Sequence, residues 1–515
     1  MSPRPRFHWF WTLVLALCAL LTAWCASNID GSSIKGDATE NLKLTYNIFH
    51  HGAFSLDSFR PNTRPTNFRE PLPPVATAIY LKLVMPGGAR DFNAWHFGQY
   101  TRLIKLGNLV WVFAGQLCIA ALAWRLTQRR AAVLLALGMS FVFYFDNAAV
   151  INSLYTELPT SVLMMLSALA MLVAVASQRV VHALVAGLML GLLCLTKSAF
   201  LAGAPAALAL IGLWLSWRQR HTDFWRPWTR VVLPGLLALA AVVTPWMVRN
   251  QLALGTSELS SGRAGYVMYK RALMNHMPDE TYRLAFYLWG PMLYRDLVQG
   301  TDWAATPEDR ERGGRVQWLN PNPTSTFHLE DNRAIAMGRP DLSFTYYRMS
   351  AATFQMVKDK LVAAGHPQPD LAADQILKRT ATQLMAADPA AHLKVSLPIF
   401  WRSFWWGPAH LEDPIPGLPD IGRRPVEVVN LLSGLALFVA FGAAVFARRP
   451  DDLVVWSLPV IMMGLHTVLT QGLPRFTIPA IPFMLLALSV LACRLLQMRF
   501  SGPPPPVAER NATTA

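Results

Sequence analysis

The sequence predicts an all-α polytopic membrane protein with about ten transmembrane helices and two large outer-side loops that carry juxtamembrane helices. Three observations predict this class. Hydrophobic residues fill 53% of the 515 positions and charged residues only 15%, where a soluble domain carries about 25% charged. Mean hydropathy is +0.29. The apolar residues fall in runs close to the roughly 20 residues that cross a bilayer core, at 7–26, 106–124, 131–149, 158–176, 180–195, 199–217, 231–248, 428–446, 453–469 and 478–493. A disordered chain, a coiled coil and a collagen-like fibre are excluded by the same figures. The five cysteines, Cys18, Cys25, Cys118, Cys194 and Cys493, lie in or beside apolar runs and form no CxxC. They read as small buried hydrophobes, not as zinc ligands or a disulfide framework.

The first run is long for a signal peptide core and is followed by a poor cleavage signal near Ala26, so it reads as an anchor. The loops that follow alternate in charge. One set (1–6, 125–130, 178–179, 218–230, 448–452 and the tail from Arg494) holds 15 basic residues against four acidic ones, Asp223, Asp451, Asp452 and Glu509. The positive-inside rule makes that set, with both termini, cytoplasmic. The net charge of +15 therefore speaks of membrane orientation and not of nucleic acid. Three regions follow: 1–248 with seven spans and the outer loop 27–105; 249–427 as a second outer region; and 428–515 with the last three spans and a tail whose Pro503–Pro506 run reads as disordered.

The long outer region is partly legible. Within 342–392, Phe344, Met349, Phe354, Val357 and Leu361 recur at roughly helical spacing. Residues 278–340 show too little periodicity to assign. Asp388-Pro389 marks a new helix start, with the aspartate as cap and the proline in the first turn. The segment 398–406 is rich in Trp and Phe and too short to span, which reads as an interfacial helix.

Polar groups at membrane depth or at span ends are costly and become functional candidates. Four groups stand out, all on the predicted outer side. Gly36-Asp37-Ala38-Thr39-Glu40 follows the first span: Asp37 could act as a general base, or it could cap a helix with Glu40 completing a capping box. His50 and His51 are adjacent, so they share no helix face for a metal. Arg69-Glu70-Pro71-Leu72-Pro73-Pro74 opens an amphipathic stretch as a proline-led helix start. Tyr155-Thr156-Glu157 and Thr196-Lys197-Ser198 are short turns between spans. A lysine in so tight an apolar hairpin either meets an anion or snorkels to the interface. Arg249 after Pro245-Trp246, and Arg475 within Leu473-Pro474-Arg475-Phe476, are cations at outer span ends, against the orientation rule. An arginine there suits a phosphodiester or a lipid headgroup.

In this order, these groups resemble the C-type membrane glycosyltransferases, closest to the branch of protein O-mannosyltransferases and aminoarabinose transferases of lipid A. The resemblance rests on Gly36-Asp37-Ala38 with His51-Gly52-Ala53-Phe54-Ser55, on Arg69–Pro74, on Glu157, on Leu195-Thr196-Lys197, on Pro245-Trp246 with Arg249-Asn250, and on Arg475-Phe476 followed by Pro479 and Pro482. Asp388-Pro389 with Leu393 and Arg402 resembles the family's helix before the last spans. Two departures concern the acceptor: no Glu directly follows Asp37, and Arg69-Glu70-Pro71 stands where the aminoarabinose enzymes have Glu-Lys-Pro. The resemblance implies transfer of a sugar from a polyprenyl-phosphate donor to an acceptor hydroxyl, with inversion, on the outer face of a bacterial inner membrane. It implies Asp37 as base, with Glu70 orienting the acceptor or assisting Asp37. Lys197, Arg249 and Arg475 would bind the donor phosphate, and Arg69, Tyr155 and Glu157 would position substrate. The partners implied are the lipid-linked donor, membrane lipids and an acceptor (lipid, glycan or protein), with no nucleic acid. No cofactor is demanded; a divalent metal between Asp37 and Glu70 is compatible with the pair. A ligase or polymerase of lipid-linked glycans, or a flippase of lipid-linked sugars, is the alternative. A flippase calls for charges along mid-span, which the sequence does not offer.

Overall fold

The computed structural model describes residues 8–57, 64–311, 314–319, 328–339, 342–343, 345–405, 423–447 and 449–500. All regular elements among them are helical. The main helices are α1 (His8–Ser27), α2 (Asp37–His51), α3 (Leu72–Val84), α4 (Asn108–Thr127), α5 (Arg130–Ser140), α6 (Glu157–Ser177), α7 (Val180–Cys194), α8 (Phe200–Arg218), α9 (Leu233–Leu254), α10 (Ala264–Leu273), α11 (Tyr346–Ala363), α12 (Pro369–Ala387), α13 (Pro389–Phe404), α14 (Arg423–Phe446), α15 (Pro450–Leu469) and α16 (Ile481–Phe500).

Among the described residues, eight helices are long and apolar enough to cross a membrane: α1, α4, α6, α8, α9, α14, α15 and α16 with their flanking turns. The two other expected spans form shorter helices. α5 continues through a π-helical turn only to Phe145, because Asp146 follows and Asn147 then caps a separate turn by accepting from the Ala149 N–H. α7 has 15 residues, a rise of about 22 Å against a hydrocarbon core near 30 Å. Both are packed against longer neighbours. Leu20, Val181, Leu237, Val439 and Phe446 stand exposed on the outside of the bundle, an apolar surface that suits lipid and not water.

Close packing inside the bundle depends on glycine. α7 carries Ala183, Gly187 and Gly191 at four-residue spacing, a small-residue stripe that lets helix backbones approach. A Cβ on Gly187 would stand 2.1 Å from the Gly235 carbonyl oxygen of α9, and one on Gly191 would stand 2.6 Å from Val242. α7 is thereby clamped between α6 and α9, which sets the height of the turn 196–198 that follows it.

The connections segregate to two ends. At one end Arg494 pairs with Asp452 (2.9 Å) and donates to the Leu126 carbonyl, and Arg125 pairs with Asp451 (3.1 Å). At the other end the two large loops and the short turns meet. Asn41 donates to the Leu154 carbonyl, the Leu72 N–H to the Leu195 carbonyl, and Asn67 to the Glu258 carbonyl. The predicted proline-led start of α3 is present, with Pro73 and Pro74 in its first turn.

The second large loop is helical where periodicity predicted it, in α11 and α12. It is also helical at Asp279–Trp289, Met292–Leu297, Pro307–Arg310, Arg315–Leu319 and His328–Ala336, where periodicity is too weak to assign. Asp388 caps α13 by accepting from the Ala391 N–H, as its pairing with Pro389 predicted. Residues 398–404 are not a separate interfacial helix but the last turns of α13. Their Ile399, Arg402, Ser403 and Phe404 are buried, because the helix continues through Pro398. Trp406 and the proline-rich tail lie outside the described residues.

The α7–α9 contact predicts an asymmetric pair of variants. Gly187→Val should lower the melting temperature in detergent by the equivalent of at least the usual overpacking cost of about 1–3 kcal/mol. Gly138→Val, whose Cβ meets nothing within 4 Å, should leave it nearly unchanged. Differential scanning fluorimetry of the two purified proteins checks this.

Candidate active site

Gly36 takes a left-handed conformation (φ 59°) and turns the chain into α2, so that Asp37 becomes its first residue. The Gly36 Cα faces the Tyr155 hydroxyl, which a Cβ would approach to 3.4 Å. Asp37 does not cap the helix, and the capping box with Glu40 is not formed. Both carboxylates turn instead toward arginines from distant parts of the chain. Asp37 Oδ1 lies 2.9 Å from Arg69 and 3.2 Å from Arg263, and its Oδ2 accepts from Arg475 at 2.6 Å. Glu40, one turn along, accepts from Arg69 Nε at 2.6 Å and lies 3.7 Å from Arg263. Three guanidiniums thus share two carboxylates at the N-terminus of a helix, where a negative charge is further favoured by the helix dipole.

The electrostatic result at Asp37 has opposing parts. Burial pushes its carboxyl up, but Arg263, Arg69 and Arg475 together outweigh burial and hold it well below the usual carboxylate range. Arg475 shows the converse: burial draws it down, and Asp37 and Glu157 more than restore it. Its guanidinium also stands over the Tyr155 ring at 5.9 Å and the Phe476 ring at 5.6 Å.

Lys197 sits beside this group in the turn between α7 and α8. It is buried, 3.9 Å from Glu157 and over the Phe476 ring at 5.6 Å. Burial lowers its ammonium pKa, Glu157 and Glu70 oppose that, and Arg475 and Arg69 add to it. Glu70 does not reach Asp37's partners. Its Oε1 accepts from the Ser198 N–H (3.1 Å), the Ser198 hydroxyl (2.9 Å) and the Ser260 hydroxyl (3.3 Å). Glu70 therefore ties the first loop to the Lys197 turn and to the second loop.

The structure brings Asp37, Arg69, Arg475 and Tyr155 together, with Lys197 and Glu157 adjoining. It does not bring Arg249 to them. That guanidinium donates to the Thr66 carbonyl (2.7 Å) and the Asn250 side chain (2.9 Å) and packs on the Trp246 ring. Arg263 is the residue the sequence reading missed. It follows Gly262 at φ 84° in a run of serines and glycines, and no local signal marks it. Glu40 was visible only as a capping partner. Among the described residues no group of three or more His, Cys, Asp or Glu side chains gathers as a metal site.

No protein-family model matches the chain, and no curated protein matches it. Solved structures that are similar include the Archaeoglobus fulgidus oligosaccharyltransferase AglB in complex with an inhibitory peptide and a dolichol-phosphate. That match has 9% identity and TM-score 0.47, over 97% of this chain and 53% of that one. Another is the arabinosyltransferase EmbB from Mycobacterium smegmatis, with 15% identity and TM-score 0.32, over 97% and 42%. A third is ArnT from Cupriavidus metallidurans bound to undecaprenyl phosphate, with 12% identity and TM-score 0.36, over 92% and 77%. The chain spans about half the length of the oligosaccharyltransferases it matches. These neighbours are C-type membrane glycosyltransferases.

The depressed Asp37 pKa predicts a pH window. A carboxylate lowered on folding contributes stability above its unfolded value, near 3.9, and loses it as pH falls through the folded value. Asp37→Asn should therefore lower the melting temperature at pH 7, and the deficit should persist down to about pH 4 and shrink only below it. Thermal melts of both proteins across pH 3–8 read this directly. A deficit that closes near pH 6 would contradict the assigned ion pairs.

Proposed function

We propose that the chain is a membrane glycosyltransferase that moves a sugar from a polyprenyl-phosphate donor to an acceptor hydroxyl at the outer face of the membrane. The observation that carries the reading is one carboxylate, Asp37, ringed by Arg69, Arg263 and Arg475 at the loop-bearing end of the helix bundle. That arrangement puts a candidate base and a phosphate-binding set of cations within one side chain's reach. The reading places the chain in a bacterial inner membrane, and the excess of basic residues in one set of loops supports an orientation with both termini in the cytoplasm.

In this reading Asp37 removes the proton of the acceptor hydroxyl, which attacks the anomeric carbon opposite the leaving group and inverts it. The leaving group is a lipid phosphate, an anion of low basicity, so no strong general acid is required. Arg475 and Lys197 stabilise the charge that builds on that phosphate. Asp37 with three arginines on it is a weak base. A donor phosphate competes for the same guanidiniums, above all Arg475 and Arg263. As they turn to the phosphate, the carboxylate regains basicity. Donor binding and activation of the base are then one event. Glu70 acts as a positioning residue, holding the Lys197 turn through Ser198. Tyr155 and Glu157 hold Arg475 and Lys197 in place from the start of α6.

Two measurements test this. Membranes from a deletion strain should accumulate a glycosylated polyprenyl phosphate, seen by lipid mass spectrometry. Wild-type protein should clear it and Asp37→Asn should not. An unchanged lipid profile would sink the lipid-linked donor. In a reconstituted assay, Arg475→Gln and Lys197→Met should each lose about 10²–10³ in rate, the usual size of one preorganised charge contact. Arg249→Gln should act through stability alone, with kcat retained in the folded fraction.

A further inference from the structure

Two cations, Lys270 on α10 and Arg402 on α13, are buried outside the Asp37 cluster. Lys270 on α10 is only 3% exposed, and its ammonium lies 4.3 Å from the Tyr266 ring centroid and 3.9 Å from that of Tyr347. Arg402 on α13 is 5% exposed. It lies over the Trp289 ring at 4.7 Å, and its one hydrogen bond among the described residues is a long one, 3.4 Å to the Gln471 carbonyl. Neither side chain has a carboxylate partner among the described residues. The charges acting on Lys270 are themselves cations, Arg402 and Arg263. With burial as the larger cause, they draw its ammonium down to about 7. The Tyr347 hydroxyl is also buried without a hydrogen-bond partner among the described residues.

The neighbouring Arg271 shows how this fold buries a cation when no anion is called for. It is fully buried and donates to the Asn275 side chain, the His392 carbonyl and the Ser396 hydroxyl. Lys270 and Arg402 lack any such set. Ring faces attract a cation but carry no net charge, and Tyr347 and Trp289 pack on one apolar cluster, so two like charges buried against it remain costly until an anion joins them.

We propose that Lys270 and Arg402 bind an oxyanion, a carboxylate or phosphate, carried by the acceptor substrate. The proposal rests on the reading of Asp37 as the transfer centre. Arg263 joins the two places: it contacts Asp37 at 3.2 Å and stands immediately before α10, about two helical turns from Lys270. An acceptor anchored by its anion at Lys270 would present its hydroxyl toward Asp37, while the donor phosphate takes the Arg475 side. The acceptor class is thereby an acidic molecule, with its charge a short distance from the hydroxyl that is glycosylated.

The test uses the purified full chain in detergent, with inorganic phosphate and succinate as separate probes against chloride at matched ionic strength. Binding to the folded state raises the melting temperature. An increment of about 3 °C or more is expected with at least one probe, and which probe works tells phosphate from carboxylate. It should persist in Asp37→Asn and Arg475→Gln and disappear in Lys270→Met and Arg402→Gln. Lys270→Arg, which keeps the charge, should retain it, and reads the site even where Lys270→Met fails to melt cooperatively. The proposal is overturned by no increment in the wild type, by one that survives both Lys270→Met and Arg402→Gln, or by one that Arg475→Gln abolishes. Failure of the transfer reading looks different: Asp37→Asn would stay active whatever the increments do.

Discussion

Compensation of charge at the loop-bearing end of the bundle is the constraint on which the rest of the structure depends. Asp37 and Glu40 on one side and Arg69, Arg263 and Arg475 on the other are half-buried or better. None of these groups could be held there singly at low cost. Satisfying them together requires the first loop, the start of the second loop and the turn before α16 to converge on the N-terminus of α2. The fold around the site is therefore a consequence of pairing, and the helix bundle below supplies the rigid floor.

That floor is set by close contact between backbones. Gly187 and Gly191 let α7 lie directly on α9, and the short α7 places the 196–198 turn beside the cluster. Glu70 then joins that turn to both large loops through Ser198 and Ser260. Packing inside the membrane layer and chemistry at its edge are linked by this one turn. A disturbance at Gly187 would be transmitted to Lys197 without touching a charged residue.

In the proposed reading, the same electrostatics suit the cluster to a reaction. A carboxylate held by three guanidiniums is stable and weakly basic; each guanidinium withdrawn makes it more basic and less stable. In that reading an incoming phosphate would draw guanidiniums away and make the carboxylate more basic, as transfer requires. Arg249 shows the contrasting case, a cation that is committed to backbone carbonyls of the first loop and to the Trp246 face. Its place at a span end resembles that of Arg475, yet its partners are neutral and fixed.

By itself the sequence determined the membrane class, the order of spans, the alternation of loops between two ends, the proline-led start of α3, the Asp388 cap and the tight turn carrying Lys197. These rest on local hydropathy, periodicity and cap chemistry, which act within a few residues. It also placed Asp37, Arg69 and Arg475 on one side. Only the tertiary structure decided that Asp37 forgoes the helix cap, that Arg263 joins it and that Glu70 serves the Ser198 turn. It also decided that α5 and α7 stop short, and that 398–404 belongs to α13. Asp37 lies 226 residues from Arg263 and 438 from Arg475. Pairing over such separations depends on how the whole chain closes, and no local pattern encodes it.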